Sequence, residues 1–137
     1  MDASNQKKEA FKAMGLAAGG DPTRLEAMNR LYRDLDKTST IGRDVQGTIA
    51  SQIITNFGDL SKSDQNRLSS KVATLGEAGD DVGLILNSLN KISKSYNYKG
   101  SGIVDLIDKI NYSANKSGSP LSNTLAGLAY ISEESAQ

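Results

Sequence analysis

The side chains that carry most enzyme chemistry are missing from this sequence. It has no cysteine and no histidine. That removes thiolate nucleophiles, disulfides, Cys/His zinc sites and imidazole proton transfer. Oxygen and amine chemistry remains. Glu77, Asp80 and Asp81 are close enough in sequence to offer oxygen ligands to calcium or magnesium. The alternating ligands of an EF-hand loop are absent, however, and carboxylates at a helix start are favoured by the helix dipole alone. Asp105 and Asp108 lie one turn apart beside Lys109. Paired carboxylates do acid–base work when buried, yet these two fall opposite Ile103, Leu106 and Ile110, on a solvated face. The run from Gly76 to Gly83 is glycine-rich but puts acids where a phosphate would sit and follows no strand. Lys116-Ser117 matches the end of a Walker motif without its preceding glycines. The expectation is a chain that is not an enzyme, with no catalytic residue, no metal and no cofactor.

Five tyrosines are the remaining candidates for contact chemistry: Tyr32, Tyr96, Tyr98, Tyr112 and Tyr130. Tyr96 and Tyr98 sit in a loop-like stretch between Lys94 and Lys99. A tyrosine ring is large, stiff and polar at one end, which suits protein interfaces. Tyr96, Tyr98 and Lys99 are therefore the candidate partner contact. The alternative is that the two rings lie on the bundle as partial core. Asn111-Tyr112-Ser113 and Asn115-Lys116-Ser117 fit the glycosylation pattern, with no other sign of a secretory route.

Charge narrows the partners. Sixteen basic residues balance sixteen acidic ones, so no long-range field draws a polyanion, and nucleic-acid binding is not expected. Lys7, Lys8 and Lys12 have Glu9 among them. Arg24, Arg30, Arg33 and Arg43, with Asp34, Asp36 and Asp44 nearby, read as surface helix pairs. No segment approaches the roughly 18 apolar residues of a membrane span. Residues 1–12 lack the apolar stretch of a cleavable signal peptide, so the protein is expected in the cytoplasm or exported without one.

These groups need elements to position them, and the sequence supplies only helices. Apolar residues recur at helical spacing almost throughout. Residues 4–17 read as a first helix with Phe11 and Met14 on one face, ended by Gly19-Gly20. Asp21 as cap and Pro22 at the first position open a second, with the stripe Leu25, Met28, Leu31, Tyr32 and Leu35. Thr38-Ser39-Thr40 is a polar break and cap. A third helix near 41–57 follows, carrying Ile41, Val45, Ile49, Ile53 and Phe57. Gly42 and Gly47 lie inside it, where each costs about 1 kcal/mol against alanine unless close packing needs it. Gly58 is placed to end it.

Ser61-Lys62-Ser63-Asp64 reads as a capping box behind Leu60. It opens a helix with Leu68, Val72 and Leu75 that stops at Gly76. Asp80 or Asp81 caps the next, near 81–95, with Val82, Ile85, Leu86, Leu89 and Ile92 inward. Ser101 starts a short helix with Ile103, Leu106, Ile107 and Ile110. Pro120 opens the last, with Leu121, Leu125, Leu128 and Ile131. The 137 residues make one domain, 1–137, a compact all-α bundle of about six to seven short helices. Within it, 1–20 is a mobile N-terminal helix and 132–137 a frayed tail. With aromatics at 5%, the core must be aliphatic.

Three stretches resemble the pore-forming domain of colicins. Leu31-Tyr32-Arg33-Asp34-Leu35 resembles its opening helix. Leu60-Ser61-Lys62-Ser63-Asp64-Gln65 resembles its phenylalanine-serine-lysine-alanine-aspartate-arginine stretch. Gly102-Ile103-Val104-Asp105-Leu106-Ile107, followed by Lys116-Ser117-Gly118-Ser119-Pro120-Leu121 and Leu125, resembles its glycine-led apolar helix and threonine-glycine-aspartate-tryptophan-x-proline turn. The tryptophan is missing here. The sequence reads Ser132-Glu133-Glu134-Ser135-Ala136-Gln137 where the membrane-inserting hairpin of those domains begins. The resemblance implies a helical domain without the pore-forming part. The function expected is a non-catalytic helical protein-interaction module of bacterial or phage origin, such as a secreted effector, an immunity or inhibitor protein, or an adaptor. The alternatives are a membrane-active, toxin-derived domain and a small hydrolase using carboxylates.

Overall fold

The computed structural model describes residues 3–96, 102–117 and 121–136. These form seven α-helices, and no strand occurs among them. The helices are α1 (Ala3–Ala18), α2 (Pro22–Thr38), α3 (Arg43–Phe57), α4 (Lys62–Glu77), α5 (Val82–Tyr96), α6 (Gly102–Ser117) and α7 (Leu121–Ala136). The all-α bundle predicted from the 3.6-residue period is the fold observed.

Local chemistry explains most of the boundaries. Gly19 and Gly20 follow α1 at φ 59° and 84°, left-handed values that only glycine takes without strain. The Asp21 carboxylate accepts from the Thr23 and Arg24 amides at 3.0 and 3.3 Å, and Pro22 holds the first position of α2. Ser61 Oγ accepts from the Asp64 amide at 3.1 Å, a cap worth about 1 kcal/mol. The Asp64 carboxylate turns forward to Arg67 at 3.3 Å. Asp81, of the two candidates, caps α5 by accepting from the Leu84 amide at 3.0 Å.

Five boundaries or faces differ from the sequence reading. Helix α3 starts at Arg43 with Gly42 as its N-cap and no side-chain cap bond. Ile41 therefore precedes the helix, and Ser39-Thr40 is bound elsewhere. Helix α4 runs past Gly76 to Glu77. It ends in a Schellman turn, with Asp80 N–H to Leu75 O at 3.0 Å and Gly79 N–H to Gly76 O at 3.1 Å. Gly79, at φ 101°, is the stop. Gly76 is a contact instead: a methyl there would lie 2.5 Å from Ile41 Cδ1 and 2.6 Å from Val82 Cγ2. Helix α6 spans 16 residues and is not short. The buried stripe of α1 is Ala10, Met14 and Ala18, while Phe11 is 43% exposed with its ring 5.3 Å from that of Tyr32. Helix α7 continues past Ser132 to Ala136. The side chain of Ile131 lies outside the described residues.

The core is aliphatic, as the composition requires. Met28, Leu31, Ile49, Ile53, Leu68, Ile85, Leu89, Ile92, Ile103 and Ile107 are all shut off from solvent. Helix α3 sits at the centre and packs on α1, α2, α4 and α5. Helix α4 touches α2, α3, α5 and α6, and α7 lies along α5 and against α6. The two most extensive pairings, α1 with α3 and α5 with α7, both skip the intervening helix. The first is set by Gly47: a methyl on it would lie 2.7 Å from both Cα and Cβ of Ala10. Backbone meets backbone there because neither residue has bulk.

Candidate functional site

Helix α4 carries a ridge of uncharged hydrogen-bonding side chains. Asn66, Ser70 and Thr74 recur every four residues and are exposed, so they share one face of the helix. A groove of about 300 Å³ runs on each side. The α2 side is lined by Leu31, Leu35, Asp34, Thr38, Asn66 and Ser69, among others. The α6 side is lined by Lys71, Thr74, Leu75, Ile107, Asp108 and Asn111, with Ser70 common to both grooves. Leucine and isoleucine make the floors, and hydroxyls, amides and charges make the lips.

Three features fix this surface. Gln65 anchors the start of α4: its Nε2 donates to Leu60 O at 3.2 Å and Gly58 O at 3.3 Å. Its Oε1 accepts from Arg30 Nη2 at 2.7 Å, tying α2 to α4. Arg30, expected as a surface pair, is thus committed to a half-buried bond. Lys71 Nζ meets Asp108 Oδ1 at 2.6 Å across the second groove. The pair is solvent-exposed and adds little stability, but it bridges α4 and α6 over the groove. Ser69 is 1% exposed, lines the first groove, and its Oγ makes no hydrogen bond. A buried hydroxyl without a partner carries a desolvation cost, which a ligand group reaching the groove floor would relieve.

The carboxylates singled out in the sequence are spread over separate duties. Glu77 accepts from Ser39 Oγ and from the Thr40 amide, the latter at 3.1 Å. It fastens the α2–α3 loop to the end of α4. Asp81 caps α5. Asp108 pairs with Lys71, and Asp105 is exposed. Among the described residues no group of three or more His, Cys, Asp or Glu side chains could hold a metal ion. No described helix is long and apolar enough to cross a membrane. Of the surface pairs expected around the arginines, Arg43 Nε meets Asp36 Oδ1 at 3.2 Å, joining α3 to α2.

Tyr98, Lys99 and the side chain of Tyr96 lie outside the described residues. Of the other tyrosines, Tyr112 and Tyr130 are exposed and Tyr32 is buried. Lys116 Nζ stands 4.9 Å from the Tyr112 ring centroid.

Sequence reasoning missed Gln65, Ser69 and the ridge. A signal was present. Gln65 and Ser69 share a helical face with Leu68 and Val72, so polar residues occupy core-facing positions of the stripe. Compared with known protein families, curated proteins and solved structures, the chain matches none.

Proposed function

We propose that this protein is a non-catalytic helical interaction module that binds another protein along α4. The observation that carries the reading is the Asn66–Ser70–Thr74 ridge between two apolar-floored grooves. Such a surface offers shape and neutral hydrogen bonds, which suit a polypeptide segment better than a charged metabolite. Tyr96, the last residue of α5, and Tyr98 and Lys99, which follow it in sequence, are proposed as additional contact residues. A bacterial or phage effector, immunity or adaptor role agrees with the Ser/Asn/Gly/Lys-rich composition of the chain.

The test is capture of a partner on the immobilised chain, followed by affinity measurement with variants. Ser70→Arg places a long charged side chain over both grooves from an exposed position. It is expected to weaken the complex at least about tenfold, with the helical circular dichroism unchanged. Tyr98→Ala is expected to weaken it less. A complex indifferent to Ser70→Arg removes α4 from the interface.

The colicin resemblance supplies a second reading, a toxin-derived helical domain. It is favoured by one observation: two of the three resembling stretches fall at helix starts, α4 at the Ser61 cap, α6 at Gly102 and α7 at Leu121, while residues 31–35 lie within α2. Leakage of dye from anionic liposomes at acid pH is its test, and intact vesicles over a full titration would end it.

A further inference from the structure

A third groove lies away from the α4 ridge, where the start of α3 meets the α4–α5 turn. Its volume is about 330 Å³. Ile41, Val45 and Val82 form an apolar floor, Thr48 one wall, and Asp80 and Asp81 the lip. No lysine or arginine lines it. It is an oily slot with a negative edge.

Helix α1 presents the complementary surface. Lys8, Lys12 and Leu16 are exposed and recur every four residues. Leu16 is 75% exposed, whereas Phe11, 43% exposed, lies on the side towards α2 with its ring against that of Tyr32 and Lys7 Nζ 5.8 Å from its centroid. Phe11 and Leu16 are two of the four large apolar side chains exposed among the described residues. A single exposed apolar residue is ordinary, but Leu16 continues the row of Lys8 and Lys12 on one face of α1, an apolar tip bordered by two positive charges.

We propose that the groove at Val45 and Val82 receives the Lys8–Lys12–Leu16 stripe of α1 from a second copy of this chain. Leu16 enters the slot, and the stems of the lysines lie along its edge with their ammonium groups at Asp80 and Asp81. The stripe cannot reach the groove of its own molecule. Ala10, Met14 and Ala18 bury the opposite face of α1, and α1 meets α3 at Gly47, whereas Val45 and Thr48 line the groove. The contact joins two different patches. It closes as a pair if both are used reciprocally and otherwise adds copies head to tail. This self-association does not depend on the α4 reading.

Sedimentation velocity on the intact chain tests it. Association is expected to grow with concentration and to weaken as salt rises from about 50 to about 500 mM, because screening shortens the reach of the lysines. Leu16→Ser and Thr48→Arg alter exposed positions on opposite sides of the contact. Each alone is expected to weaken association about tenfold or more, with helicity intact. Lys12→Glu should do the same through charge alone. Mixed together, Leu16→Ser and Thr48→Arg recover a one-to-one pair, since one keeps the groove and the other the stripe. A wild-type chain that stays monomeric to about 1 mM overturns the proposal. So does association that both variants leave intact, or a mixture that regains nothing. Partner capture through α4 survives any of these results.

Discussion

Tyr32 is 3% exposed, and its hydroxyl makes no hydrogen bond. Burial pushes its ionisation above the ordinary value of 10.0, the Asp36 carboxylate pushes the same way, and the Arg43 guanidinium opposes them. The sign of the pH effect follows. The folded chain holds the phenolic proton more tightly than the unfolded chain. The associated stability is therefore complete below pH 10 and drains away as pH rises towards the folded-state value. Tyr32→Phe removes both the stranded hydroxyl and this alkaline loss. Urea unfolding at neutral pH is expected to find the variant as stable as wild type or more so, by up to about 1 kcal/mol. Above pH 10 the gap should widen in the variant's favour. A variant that is clearly less stable at both pH values would mean that the hydroxyl has a partner after all. None of this was legible in the sequence, where Tyr32 is simply one member of an apolar stripe. Asp36 lies one turn further along the same helix, but the burial that dominates the shift, and the opposing Arg43 from α3, come from the tertiary arrangement.

At the scale of elements, the contact between α1 and α3 turns on one missing side chain. Gly47→Ala would drive a methyl into Ala10, and overpacking of that kind costs about 1–3 kcal/mol. Alanine's better helix propensity would return about 1 kcal/mol of it. Denaturant melts are expected to register a net loss that Ala10→Gly in the same chain relieves, a non-additive pair. Additive losses would mean the two backbones do not touch. The sequence suggested close packing at Gly47 because an isolated helical glycine needs a reason. It read Gly76 as a stop by the same local code, although Gly79 performs that task. Local signals cannot separate the two cases, since the atoms that claim Gly76 belong to Ile41, far away in the chain. The caps at Asp21 and Ser61 were legible because their partners lie within three residues. Phe11 was misplaced for a related reason: periodicity finds a face but does not say how wide the neighbour is. Against Gly47 and its surroundings, the small Ala10 sits deeper than the large ring.

Across the whole molecule, α3 and α4 link the other helices, with α7 joined to them through α5 and α6. Helices α1 and α2 lean on α3, and α5 meets both central helices. Neither end has a core of its own, so thermal or urea unfolding is expected as one transition, the same by tyrosine fluorescence and by circular dichroism. Two separated transitions would mean that the halves melt independently. The number and class of elements were readable from periodicity alone, because burial selects apolar residues at helical spacing whatever the tertiary order. The order itself was not. Nothing local says that α1 belongs beside α3 and α5 beside α7. That pattern has a consequence during synthesis. A nascent chain emerging from the ribosome cannot cover α5 until α7 has also emerged. Meanwhile α5, whose core residues include Ile85, Leu86, Leu89 and Ile92, is covered only by α3 and α4, whereas α1 waits for α3 exposing mostly alanine and one methionine. The interval between those two events is when a growing polypeptide of this kind is most prone to stick to its neighbours.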